Sequence, residues 1–141
     1  ALGWADRCRE VQDEILPPGH PDRSFNLDVV GRCLVELERF DEALEPLTDS
    51  LTFREAAFGA GHPRTAETLL LTGRALAGLD RQAEAEPSFL AAVEIAEATY
   101  PVGHPERVLL HQAVIEFYGG WGREAERAAF EARLGAERNE P

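Results

Sequence analysis

The sequence predicts an all-α fold of about seven helices, arranged as consecutive helical repeats. Three copies of the tripeptide Gly-His-Pro begin at Gly19, Gly61 and Gly103, each 42 residues after the previous one. A fixed interval of this size is typical of repeat architectures. Apolar residues between the copies recur with helical periodicity, and no useful length of sequence alternates apolar with polar residues, so we predict no strands.

The Gly-His-Pro tripeptides indicate where each repeat begins. Glycine accepts the positive φ that often ends a helix, and proline suits a first helical turn because its φ is fixed and it lacks an N–H. We expect a single domain over 1–141, divided into a half repeat 1–18, repeats 19–60 and 61–102, and a degenerate or capping repeat 103–141. The predicted helices lie near residues 2–16, 22–37, 41–58, 64–79, 83–99, 106–118 and 123–137.

Two apolar stripes in each repeat predict two helices with a tight turn between them. The first repeat breaks at Glu38-Arg39 and the second at Asp80-Arg81. Pro46 and Pro87 lie near the start of each second helix, where few backbone bonds are lost, so we expect only a slight bend. In the third repeat Arg127 occupies the position of Ala43 and Ala85. Either the register slips there by about two residues, or the last helix is a polar cap.

The recurring residues resemble the 42-residue tetratricopeptide repeat of the kinesin-light-chain type. The match includes the His-Pro steps, Gly31 and Gly73 in the first helices, and Ala43 and Ala85 in the second helices, and it covers essentially the whole chain. The resemblance implies a right-handed superhelix (a solenoid) whose first helices line a concave wall. It also implies that Gly73 and Ala85 face each other across a close contact between helices.

On that wall the resemblance places the residues that would bind a partner: Phe25, Asp28, Arg32, Glu67, Leu70, Leu71, Arg74, Gln112 and Glu116. Family members that clamp a peptide backbone carry Asn where this chain has Val29, Leu71 and Ala113, which argues against an asparagine clamp. Guanidinium groups suit carboxylates or phosphates, so Arg32 and Arg74, one repeat apart, are candidate anchors. The alternative is that each arginine pairs with a neighbouring acid of its own chain.

Composition excludes two classes of partner. The 14 basic residues are all arginine and the net charge is −12, which argues against nucleic acid because phosphate binding needs a positive surface. No run of 18 apolar residues exists, so we predict no membrane span. The all-arginine usage suggests a bacterial coding sequence, and the missing initiator Met suggests a fragment of a longer cytoplasmic protein.

No catalytic or metal motif is present, so we predict neither an enzyme nor a cofactor. The chain lacks a Gly-rich phosphate loop, His-Glu-x-x-His and Gly-x-Ser-x-Gly. His20, His62 and His104 lie one repeat apart and cannot share one ion, because packed helices are about 8–10 Å apart; we interpret them as link and cap residues. His111 falls at the position of Leu27 and Leu69, so we expect a half-buried packing histidine.

The most specific functional expectation is a non-catalytic protein-interaction module. We expect a partner segment with an acidic anchor that is otherwise basic, as the net charge of −12 favours. The parent would be a larger signalling or scaffold protein, since proteins resembling this one often carry such repeats beside domains such as Ser/Thr kinases. The alternative is a structural spacer or a self-assembly element that associates through its exposed repeat ends.

Overall fold

The computed structural model describes Gly3 and residues 21–138, with side chains in the repeats from Leu27 onward. This part of the chain is all-α and contains six helices and no strand, as predicted. The predicted helix near 2–16 lies, apart from Gly3, outside the described residues. The helices are α1 (Pro21–Glu36), α2 (Phe40–Phe58), α3 (Pro63–Gly78), α4 (Gln82–Thr99), α5 (Pro105–Trp121) and α6 (Glu124–Glu137).

The helices stack in chain order. Each helix packs on the next one, and α3 additionally contacts α1 on one side and α5 on the other. Short connections make consecutive helices antiparallel, so α1, α3 and α5 run in the same direction. These first helices of the repeats therefore lie side by side in one row. Within residues 21–138 no helix combines the length and apolar character that crossing a membrane requires.

The turn inside each repeat has one repeated backbone geometry. Glu38, Asp80 and Gly122 have positive φ values of 58°, 58° and 74°, and these three positions are one repeat apart. After each of them, the N–H of an arginine donates to a carbonyl near the end of the first helix, for example Arg123 to Tyr118 at 3.0 Å. The third turn therefore keeps the register of the other two. It comes later than predicted only because α5 continues to Trp121.

The links between repeats explain the Gly-His-Pro tripeptide. The Nδ1 atoms of His62 and His104 each accept a hydrogen bond, 3.1 Å long, from the backbone N–H two residues later. Each ring also stacks on the aromatic side chain four residues earlier, Phe58 at 4.9 Å and Tyr100 at 4.2 Å between centroids. The prediction of cap residues is confirmed for these two histidines, while His20 lies outside the described residues.

Small residues allow the two helices of a repeat to approach closely. A Cβ atom added at Gly31 would lie 2.4 Å from Cδ2 of Leu47, and one added at Gly73 would lie 2.9 Å from the Phe89 ring. Phe89, rather than the predicted Ala85, therefore covers Gly73. Ala85 is nevertheless completely buried. Around these contacts the core forms one cluster between α1, α2 and α3 and a larger cluster from α3 to α6.

Candidate functional site

A groove crosses the row of first helices and encloses a cavity of about 370 Å³. Helices α1, α3 and α5 form its walls, and α4 contributes to its base. The buried apolar residues at its floor are Ala66, Leu70, Leu71, Ile95, Ala96 and Leu110. Leu109 also lines the groove and leaves 46% of its surface exposed. An apolar floor with charged residues above it is the usual composition of a binding groove.

Arg32 on α1 and Arg74 on α3 stand above this floor. Both residues line the groove and both are exposed. Among the described residues, neither guanidinium lies within 4.0 Å of a carboxylate oxygen, so the predicted alternative of a pair with Asp28, Glu36 or Glu67 does not form. Two unpaired guanidiniums one repeat apart beside apolar surface are suited to an anionic group on an otherwise apolar ligand.

Asp28 requires a correction, because its carboxylate points into the protein and does not line the groove. The residue is only 5% exposed. Its Oδ2 lies 2.7 Å from Nη1 of Arg54, and its Oδ1 accepts a hydrogen bond from Ser50 at 2.6 Å. Burial raises the pKa of Asp28, and the Ser50 hydroxyl and the Arg54 charge oppose that rise. Asp28 therefore joins helices α1, α2 and α3 and is not available to a partner.

The remaining predicted wall residues divide into two groups. Glu67, Leu70 and Leu71 line the groove together with the two arginines. Gln112 is half-buried and Glu116 is exposed on α5, and neither lines the cavity. Phe25 lies in α1, where its side chain is outside the described residues.

Two residues that sequence reasoning missed complete one end of the groove. Glu106 and Tyr100 both line the cavity near the link that precedes α5. Glu106 is exposed and Tyr100 is half-buried against His104. The signal that could have identified Tyr100 is its position one repeat after Phe58. Tyr100 belongs to the link between the second and third repeats, whereas Glu106 lies in the first turn of α5.

A second charged cluster lies outside the groove, where α4, α5 and α6 meet. His111 is 1% exposed, more buried than predicted, and within the part of the chain that the structure describes neither ring nitrogen has a hydrogen-bond partner. Its Nε2 lies 3.6 Å from Glu97 and its Nδ1 lies 3.9 Å from Glu137. Burial lowers the pKa of His111, and the charge of Glu97 acts in the opposite direction.

The donor atoms of Glu97, His111 and Glu137 lie within 4.8 Å of one another, a spacing that invites comparison with a metal site. Arg107 donates to Glu137 at 3.0 Å and Arg133 pairs with Glu97. The two guanidiniums therefore already neutralise both carboxylates. The two carboxylates also face different nitrogens of the His111 ring, whereas a metal ion would be bound by only one of these nitrogens. We therefore assign this cluster to the packing of α6 and not to a metal.

Comparison with known proteins agrees with the repeat architecture. A family profile described as "Tetratricopeptide repeat" matches residues 27–64 and 65–106. No protein of curated function is similar to the chain at a significant level.

Two solved structures share the fold, and both are of a Podosopora anserina protein assigned as a kinesin light chain with nearly identical TPR-like repeats. A point variant of that protein superposes with a TM-score of 0.79 and its other form with 0.76, each at 19% sequence identity. Each alignment covers 97% of this chain and 65% of that chain, so the chain corresponds to only part of that protein. Since the family profile covers more than half of the sequence in two consecutive repeats, the chain belongs to the tetratricopeptide repeat family.

Proposed function

We propose that the chain is a non-catalytic interaction module whose concave groove binds a segment of a partner protein. Tetratricopeptide repeats generally mediate contacts between proteins, and the fold supplies the groove. The observation that carries the proposal is the presence of Arg32 and Arg74, exposed and unpaired among the described residues, above the apolar floor that includes Leu70 and Leu71. An acidic side chain of the partner would bind both guanidiniums, and apolar side chains would cover the floor.

We also propose a setting for this module. The absence of lysine among 14 basic residues fits a bacterial coding sequence, and repeats of this kind often accompany signalling domains. We infer a signalling or scaffold protein of the cytoplasm that uses this module to hold a partner. A net charge of −12 favours a partner that is basic outside its acidic anchor.

The test is selection of binding peptides from a random peptide library displayed on phage, with the wild-type domain immobilised. Selected peptides are then synthesised and their Kd values are measured by fluorescence anisotropy. The double variant Arg32→Glu/Arg74→Glu should bind them more than tenfold more weakly, which corresponds to a loss of over about 1.4 kcal/mol. Circular dichroism should show an unchanged fold, because both side chains are exposed.

The chain offers a matched control for this variant. Arg39 and Arg81 are also one repeat apart and exposed, but they lie at the turns, where each pairs with a glutamate three residues later. Arg39→Glu/Arg81→Glu changes the net charge by the same amount and should leave peptide affinity unchanged. Equal affinity of the groove variant and wild type would refute groove binding. If the wild-type chain then associated with itself as its concentration rose, the self-assembly alternative would replace it.

A further inference from the structure

We propose that the bound segment carries a basic residue in addition to its acidic anchor, and that Glu67, Glu106 and Tyr100 hold this basic side chain. These three residues form what we call the acidic end of the groove. The inference rests on the proposed function, since it specifies the segment that the same groove takes. It follows from the positions of the charges along the first helices.

The charges in the groove are separated along the helix axes. On α3, Glu67 precedes Arg74 by seven residues, which at 1.5 Å per residue is about 10 Å along the axis. Arg32 occupies the position on α1 that Arg74 occupies on α3, one repeat later. Glu106 lies in the first turn of α5. Because the three helices run in the same direction, the two glutamates lie toward one end of the groove and the two arginines toward the other.

The negative charge at the acidic end is only partly neutralised by the protein. Among the described residues, Glu106 is exposed and makes no ion pair. The Glu67 side chain is 55% exposed, and the cation near it, Nη1 of Arg54, is 3.6 Å away. That same Nη1 lies 2.7 Å from Asp28, so its charge is largely used by the buried carboxylate. A cationic group of a ligand would therefore be attracted to these two carboxylates, whose negative charge the protein does not fully balance.

Tyr100 adds apolar surface to the acidic end. Its ring lines the groove and is held by stacking on His104, with 12° between the ring planes. Lysine and arginine place their long apolar stems along such surfaces while their charged heads stay near water or an acid. An aromatic wall beside two carboxylates therefore fits the whole of a basic side chain.

The remaining acid that lines the groove, Glu36, belongs to the other end. It lies one turn after Arg32 near the C-terminal end of α1. Because Glu36 lies away from the acidic end, Glu36→Gln tests whether a carboxylate elsewhere in the groove also selects the basic residue.

The separation of the charges sets the spacing in the ligand. An extended chain advances about 3.3–3.6 Å per residue, so about 10 Å corresponds to roughly three residues. A helical segment would need about seven residues for the same distance. We therefore expect an acidic and a basic residue three or four positions apart in an extended segment, or about seven apart in a helical one, with apolar residues between them.

The phage selection described above tests this when it is repeated on Glu67→Gln/Glu106→Gln. Peptides selected on wild type should pair an acidic with a basic residue at one of these spacings, in one order along the sequence. Peptides selected on the glutamine variant should keep the acidic residue and lose the basic one. The glutamine variant should bind a peptide selected on wild type at least fivefold more weakly than wild type does. Replacing the basic residue of that peptide with Gln should lower its affinity for wild type by the same factor. The same replacement should lower its affinity for the glutamine variant only slightly.

Two controls isolate the acidic end. Glu36→Gln removes a charge inside the groove, and Glu55→Gln/Glu94→Gln removes two exposed charges from α2 and α4. Peptides selected on Glu36→Gln should still carry the basic residue, and Glu55→Gln/Glu94→Gln, whose positions do not line the groove, should select the same peptides as wild type.

The outcomes separate this inference from the proposed function. If the acidic residue is selected and depends on the arginines, but no basic residue accompanies it, the acidic-end assignment is wrong and groove binding stands. Loss of the basic residue with Glu36→Gln instead of the double glutamine variant also overturns the assignment. If no selected peptide depends on Arg32 and Arg74, both proposals fail.

Discussion

Removing the buried carboxylate of Asp28 should destabilise the protein more than any exposed charge change. Arg54 is 1% exposed and its Nη1 lies 2.7 Å from Asp28. Asp28→Ala would leave this guanidinium with the Arg64 carbonyl at 2.6 Å, the Thr68 hydroxyl at 3.2 Å and the more distant Glu67. Uncompensated buried charges cost about 3–5 kcal/mol.

We expect a loss near the lower limit, about 3 kcal/mol, because Glu67 remains within reach of Arg54. For a domain of this size that loss lowers Tm by roughly 10 °C. Urea unfolding followed by circular dichroism in the helical band measures the free energy directly. As a control on the same helix as Arg54, Glu42→Gln breaks the exposed pair with Arg39 and should cost less than about 1 kcal/mol.

The double variant Asp28→Leu/Arg54→Met distinguishes the buried pair from a general loss of packing. Since it removes both charges and leaves neither unpaired, its stability should stay within about 1 kcal/mol of wild type or exceed it. The interpretation would be refuted if the free energy of unfolding of Asp28→Ala lay within about 1 kcal/mol of the wild-type value, or if the double variant were less stable than Asp28→Ala.

Three further predictions concern other parts of the fold. Ala85→Leu overpacks a completely buried site and should cost about 1–3 kcal/mol in urea unfolding; an unchanged midpoint would contradict the assigned packing. His62→Ala removes the cap of α3 and should cost about 1 kcal/mol, whereas His62→Asn, which can still cap, should cost less. The lowered pKa of His111 means that the unfolded chain binds a proton at a higher pH than the folded chain. The stability that depends on a neutral His111 is therefore fully present above pH 6.5 and is lost as the pH falls below that value. His111→Leu should make the free energy of unfolding less dependent on pH between about 5 and 8. A pH profile identical to that of wild type would show that another group is responsible.

The helix boundaries could be predicted because their signals are local. A glycine or proline acts on its own backbone, so the Gly-His-Pro steps indicated the starts of α3 and α5 within a residue or two. The repeat register added the turns, since the same residue types recur at the same interval. The end of α5 was wrong, because the helix predicted to end near residue 118 continues through Gly119 and Gly120 to Trp121.

The groove was harder to predict because it depends on pairing between helices. The register placed Asp28 correctly on a first helix, but it could not show that Arg54 of the next helix would pair with its carboxylate. The same register correctly placed His111 at a packing position. Tyr100 in the link and Glu106 in the first turn of α5 were missed because both lie outside the wall positions that the family resemblance supplies.

The turn inside each repeat depends on a left-handed backbone conformation and not on one particular side chain. The same positive φ is adopted by glutamate, aspartate and glycine at Glu38, Asp80 and Gly122. In a non-glycine residue this conformation costs roughly 1–2 kcal/mol, and the surrounding helices impose it twice. Turns of the three repeats should therefore be interchangeable, and a chimaera that carries the Gly122 turn in every repeat would preserve the spacing of the solenoid while relieving that cost.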